Sequence, residues 1–186
     1  MDTIARLFVD KNTPMPEWNR VLVREVGFTG GKRRHDVECW PTQEFLDNHA
    51  KSDLINYKVT RIDWSVGDDY IDSIKFTMSN GDVSPRYGRR MTNHYCMIEA
   101  DITTVTMIQK DGRLAGVIFG NETAGEVLRI EAASINQGET KTSVESLYAS
   151  ETLVGFKMRL HRGALTGLSS QWLTSPAALL KANSAK

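Results

Sequence analysis

Residues Gly67 to Phe76 read GDDYIDSIKF: a cluster of turn formers, then apolar residues at Ile71, Ile74 and Phe76 set among polar ones. Similar stretches return as KDGRLAGVIF at Lys110 to Phe119 and as HRGALTGLSS at His161 to Ser170. With the apolar residue after each turn as an anchor (Ile71, Leu114, Leu165), the comparison extends outward. Nine residues earlier stand Ile62, Val105 and Phe156; seven earlier, Trp64, Met107 and Met158; three later, Ile74, Val117 and Leu168. All are apolar. The anchors lie 43 and 51 residues apart, a repeat-scale spacing. We read three similar antiparallel units, none able to bury its own face, closed around a shared core. Ile62, Trp64, Ile74, Val105, Val117, Phe156 and Leu168 are expected to point into it. An ordinary β-sandwich whose hairpins share turn chemistry is the alternative that the spacing leaves open.

From Val59 to Trp172 short segments alternate apolar and polar residues, as in Ile62, Trp64, Val66 and in Ile74, Phe76, Met78. That period of two puts alternate side chains on one buried face of a strand. Turn formers separate the segments, among them Asn80-Gly81-Asp82, Lys110-Asp111-Gly112 and Arg162-Gly163. The class is all-β and antiparallel, with helical texture only at Thr42 to Ala50 and at Ala177 to Lys186.

The chain has 186 residues, which fits one domain with short appendages. Lys plus Arg and Asp plus Glu number 23 each, so no net field draws it toward nucleic acid or an anionic membrane. No apolar run approaches the ~20 residues that span a bilayer. The N-terminus lacks the basic start and apolar run of a signal peptide, so we expect a cytoplasmic protein, or a secreted one if a leader was removed. Cys39 and Cys96 are too few for a disulfide framework and are expected as free, buried thiols.

The early Gly30-Gly31 pair in VGFTGGKRRHDVE, the stretch IDSIKFTMSNGDVSPRYG from Ile71 and the late stretch LVGFKMRLHRGALTGL from Leu153 resemble the jacalin-related lectins, with this chain a divergent case. The likeness covers roughly residues 26 to 172 in scattered motifs. It implies the jacalin-like β-prism (β-prism I): three antiparallel four-stranded sheets around a pseudo-threefold axis. An N-terminal extension over residues 1–25 and a C-terminal tail over 173–186 would flank it. It also implies that the first, glycine-rich strand completes the sheet of the last unit, which would put Gly30 and Gly31 near the turn from Arg162 to Gly167.

Family members bind sugar through a loop that presents main-chain amides and one aspartate, with a glycine loop facing it. A carboxylate can accept from two adjacent sugar hydroxyls while amides donate back, and glycine lets backbone approach the ring. This sequence departs from that pattern. In the third unit Thr166 stands at the acid position, after the Gly163 turn, and in the second unit Ala115 does. Only the first unit keeps an acid, Asp72, beside Asp69 and the aromatic Tyr70, and its facing loop would be Tyr87-Gly88-Arg89. Asp72 could instead only bond the amides of its own turn.

Other chemistry is thin. The histidines show no zinc spacing, His94 and Cys96 form at most half a ligand pair, and no phosphate loop or nucleophile motif occurs. We therefore expect no cofactor, no metal and no enzyme. The basic clusters Gly31 to His35 and Arg86, Arg89, Arg90 fit sulfated glycans, an acidic partner or a solvated loop. Trp18 and Trp40, outside the three units, would mark an interface if exposed. The expected function is a carbohydrate-binding module with carbohydrate or glycoprotein as partner. The alternative is a structural or assembly protein, with a protein partner or a second copy, that kept the fold and lost the sugar site.

Overall fold

The computed structural model describes residues 22–26, 36–48, 54, 56–135, 140–145 and 152–174. Three hairpins dominate it: β3 (Val59–Val66) with β4 (Ile71–Met78), β7 (Thr104–Lys110) with β8 (Arg113–Asn121), and β11 (Thr152–His161) with β12 (Ala164–Thr174). Each is the centre of one antiparallel four-stranded sheet. The short β5 (Tyr87–Gly88) and β6 (His94–Met97) flank the first hairpin. The second lies between β9 (Gly125–Glu131) and β10 (Thr140–Glu145). The third is completed by β1 (Leu22–Val26) and β2 (Asp36–Trp40). Ahead of β3, Thr42 caps the short helix α1 (Gln43–Asp47), its hydroxyl accepting from the Phe45 amide at 3.2 Å.

The threefold spacing of the sequence is also a threefold register. Ile62 pairs with Phe76, Val105 with Phe119 and Phe156 with Ser170; two residues on, Trp64 pairs with Ile74, Met107 with Val117 and Met158 with Leu168. Each ladder then slips at the same place. The partner jumps from Ser73 to Ile71, from Gly116 to Leu114 and from Gly167 to Leu165, which leaves Asp72, Ala115 and Thr166 as the extra residue of three equivalent β-bulges. The nine apolar positions of the repeat line a common interior. Eight of them are nearly fully buried, and Trp64 is half-buried against the core, stacked on the ring of His94 at 5.8 Å. Trp64 sits near the tip end of its sheet, where the edge strand β6 supplies only an imidazole to cover it.

The β-sandwich alternative fails, because the chain forms three sheets rather than two. Both limits of the domain and the place of Trp40 differ from expectation: β12 runs on to Thr174, inside the segment read as a tail. The third sheet begins at Leu22, inside the segment read as an extension, since β1 pairs with β12 from Leu22 to Val26. Trp40 lies within that sheet, opposite Phe156, and is half-buried rather than displayed on an outlying segment. Neither cysteine is in a disulfide, and both are half-buried. Trp18 and the C-terminal helical texture lie outside the described residues.

Candidate functional site

Strand direction places the three hairpin tips at one end of the prism. The second and third tips are two-residue turns, Asp111-Gly112 and Arg162-Gly163, with both central residues at positive φ (52° and 72°; 50° and 76°). That is the type I′ geometry, and it lets the ladders run on to Lys110–Arg113 and His161–Ala164. The first tip has Asp68-Asp69 in those places and no glycine to take the second. Its ladder stops at Val66–Ile71, and the loop is closed by the Gly67 amide donating to the Tyr70 carbonyl at 2.9 Å. The acid thus stands beside the one tip of the three that lacks the type I′ turn.

Asp72 stands on the bulge just beyond that loop. Its Oδ2 is buried and accepts no hydrogen bond, although its side chain keeps 22% of its exposure and Arg90 Nε lies 3.5 Å away as an ion pair. Gly67 forms one wall: a Cβ there would sit 3.0 Å from Oδ2. Gly88 of β5 lies against the Asp72 main chain. It holds φ +116°, and a Cβ on it would fall 2.0 Å from the Asp72 carbonyl oxygen. Only glycine allows that approach. The Arg89 amide donates to the same carbonyl at 3.2 Å. Tyr87, almost fully buried, anchors the strand that brings Gly88 here, and burial pushes its hydroxyl well above the ordinary tyrosine range.

The remaining residues singled out in the sequence do other work. Asp69 binds Lys110 Nζ and the Ser134 hydroxyl, each at 2.5 Å. Those hydrogen bonds hold its carboxyl below the usual aspartate range. Tyr70 donates to Asp111 at 3.5 Å and carries the Arg113 guanidinium over its ring at 3.8 Å, so one aromatic face is covered. Both residues lash the first tip to the second. Thr166 is buried and donates to the Arg159 carbonyl of its own hairpin at 3.0 Å. Gly163 lies in the third tip, 3.8 Å from Arg89 Cγ by its ideal Cβ. Gly30 and Gly31 lie outside the described residues; the strands that bracket them end at Val26, beside Ser170, and begin at Asp36, beside Leu160.

Arg90 is the site residue that sequence reasoning did not place. Its signal was the basic cluster at 86–90, but nothing in the order of residues says which of those arginines meets Asp72. At the far end of the prism, where the first strands of the hairpins begin, a cleft of about 330 Å³ is lined by Lys58, Thr60, Ser79, Ile98, Asp101 and Leu153, among others. Lys58 and Asp101 close on each other there at 2.6 Å. Among the described residues no three metal-ligating side chains gather, and no helix is long and apolar enough to cross a membrane.

No family model matches the sequence, and no curated protein does. Solved structures do match. A Malaysian banana lectin superposes with a TM-score of 0.58 at 15% identity, covering 82% of this chain and 99% of its own. Frutapin, a lectin from Artocarpus incisa, gives 0.58 at 11% identity, over 82% of this chain and 97% of its own. A prostate-specific WGA16 glycoprotein lectin gives 0.56 at 16% identity, over 80% and 97%. At such identities the likeness is one of fold, and the fold is the β-prism of the jacalin-related lectins.

Proposed function

We propose that this chain is a non-catalytic carbohydrate-binding module whose sugar site is the niche around Asp72. The observation that carries the reading is a buried carboxylate oxygen, Asp72 Oδ2, that accepts no hydrogen bond, lies against Gly67 and has as its ionic partner among the described residues the mostly exposed Arg90 at 3.5 Å. A desolvated acceptor whose hydrogen bonds are unmade is costly, and a ligand that takes the place of Arg90 and donates to it recovers that cost. Adjacent sugar hydroxyls are suitable donors, and the Asp68 and Asp69 amides take no part in the Gly67–Tyr70 turn bond of the neighbouring loop. The bulge turns Asp72 out of the ladder and so frees its side chain for this purpose. Lectin structures on the same fold support the class of ligand.

A glycan array probed with the recombinant chain, followed by calorimetry on each hit, tests the proposal. Binding that is lost in Asp72→Asn supports it. The absence of acids from the other two bulges, at Ala115 and Thr166, favours a second reading, a structural or assembly protein on this fold. Silence across the array decides for that one.

A further inference from the structure

The Asp72 niche is not electrically neutral, and its charge comes from the facing loop. Arg90 puts Nε 3.5 Å from Asp72 Oδ2 while its side chain stays 73% exposed, and among the described residues its guanidinium has no other partner. Arg89 next to it donates from Nε at 2.9 Å and from Nη2 at 2.5 Å to the Arg162 carbonyl, so the loop is pinned to the third tip. That sets the loop carrying Arg89 and Arg90 against the third tip, where Arg162 is exposed. Arginines therefore stand on the loop facing Asp72 and on the tip beside it. Of the other nearby acids, Asp69 is already paired with Lys110, Asp111 meets Tyr70, and Asp68 points from an exposed tip.

Resting on the sugar-binding reading above, we infer that the ligand of this niche is an anionic sugar, bearing a carboxylate or sulfate beside its hydroxyls, and that Arg90 is the residue that selects it. The argument is one of exchange. A sugar hydroxyl that donates to Asp72 Oδ2 takes the position Arg90 now shares, and a neutral sugar gives the guanidinium nothing in return. An anionic sugar does: Arg90 swings its planar fork from Asp72 to the carboxylate or sulfate and makes paired, charge-assisted hydrogen bonds there. Asp72 then accepts from the hydroxyls, and both charges end up partnered. The surrounding arginines add a field that concentrates anions at the mouth of the site. A neutral sugar gains no such contact, and since the released, mostly exposed guanidinium returns to water, the preference rests on the paired hydrogen bonds that the anion adds.

The test titrates matched ligands by calorimetry: mannose, galactose, glucose and their N-acetyl forms against the corresponding uronic acids and 6-sulfates. The proteins are wild type, Arg90→Gln and Arg90→Lys; the exposure of Arg90 keeps the fold out of play. Wild type is expected to bind at least one anionic form about tenfold or more tightly than its neutral parent, the scale of a charge-assisted contact. That preference should vanish in Arg90→Gln, survive in part in Arg90→Lys, and shrink as ionic strength rises from about 0.01 M to about 1 M. Equal affinities for neutral and anionic forms, or a preference that Arg90→Gln retains, overturn the inference and leave the sugar site standing. No binding by any of the sugars overturns both.

Discussion

Phe76 and Phe156 stack nearly face to face, ring centroids 4.3 Å apart and planes at 13°, and join the first sheet to the third at the centre of the prism. Phe119 of the second sheet meets Phe156 edge-on at 6.0 Å. In the first two hairpins the aromatic stands on the second strand, as Phe76 opposite Ile62 and Phe119 opposite Val105. In the third it has crossed the ladder: Phe156 is on the first strand and Ser170 opposite it. Each sheet still delivers one ring to the axis, and Ser170 is released to accept from the Trp172 indole at 2.9 Å.

Phe156→Ala removes the ring that both others touch, and all three are fully buried. The expected loss is about 3–5 kcal/mol in urea unfolding, the range for truncating a large core aromatic. A loss under about 1 kcal/mol means the axis collapses to fill the gap and the three rings are not its keystone.

Gly88→Ala tests the wall of the niche. A Cβ 2.0 Å from a carbonyl oxygen, on a backbone at φ +116°, cannot be accommodated without moving β5 away from Asp72. We expect a stability loss of roughly 1–3 kcal/mol together with loss of ligand binding. Gly81→Ala, at positive φ in an open turn where nothing lies within 4 Å, separates the two effects: it strains the backbone and leaves binding intact. If both variants bind alike, Gly88 does not shape the site.

The repeat was legible because burial enforces it: residues such as Val105 and Val117 must be apolar wherever three sheets share one interior. The bulges were legible only by analogy, for Asp72, Ala115 and Thr166 have nothing chemical in common and share only a place in the register. Trp64 misled by degree, since alternation marks the inward face but not how near the open end a residue lies. The tie between Asp69 and Lys110, and the pairing of Arg90 with Asp72, were out of reach. Each joins segments whose meeting is decided by which tips and loops the closed prism brings together, and the sequence of either segment is equally consistent with a solvated loop.

Asp69 gives a pH signature. Its carboxyl is held low in the folded state by the Lys110 and Ser134 hydrogen bonds, with the Lys110 charge assisting. A depressed folded value contributes stability above the unfolded pKa, near 3.9, and that stability is lost as pH falls through the folded value. Amide protection factors at the first and second tips, taken relative to the intrinsic exchange rate at each pH, should therefore fall below about pH 4 in wild type. In Asp69→Asn the same tips should be less protected already at neutral pH and lose little further protection on acidification. A wild-type tip whose protection stays flat across that window removes the tie between Asp69 and Lys110 from the architecture.

Asp72 and Thr166 occupy equivalent bulges and should respond in opposite ways. Asp72→Asn keeps the shape and removes the charge, so hydroxyl donors lose a charged acceptor and binding of whichever sugar the array identifies should weaken by roughly 1.5–3 kcal/mol. Its stability should hold or rise, because Oδ2 makes no hydrogen bond in the free protein and its one ionic partner, Arg90, is mostly exposed. Thr166→Ala should do the reverse: its hydroxyl is buried and bonded to Arg159, so folding loses about 0.5–1.5 kcal/mol while affinity stays put. Running both variants through the same calorimetric titration and the same denaturant series guards against mistaking an unfolded protein for an empty site. Should Asp72→Asn unfold readily yet bind as wild type does, the carboxylate is a support of its own turn, and the sugar, if there is one, sits elsewhere.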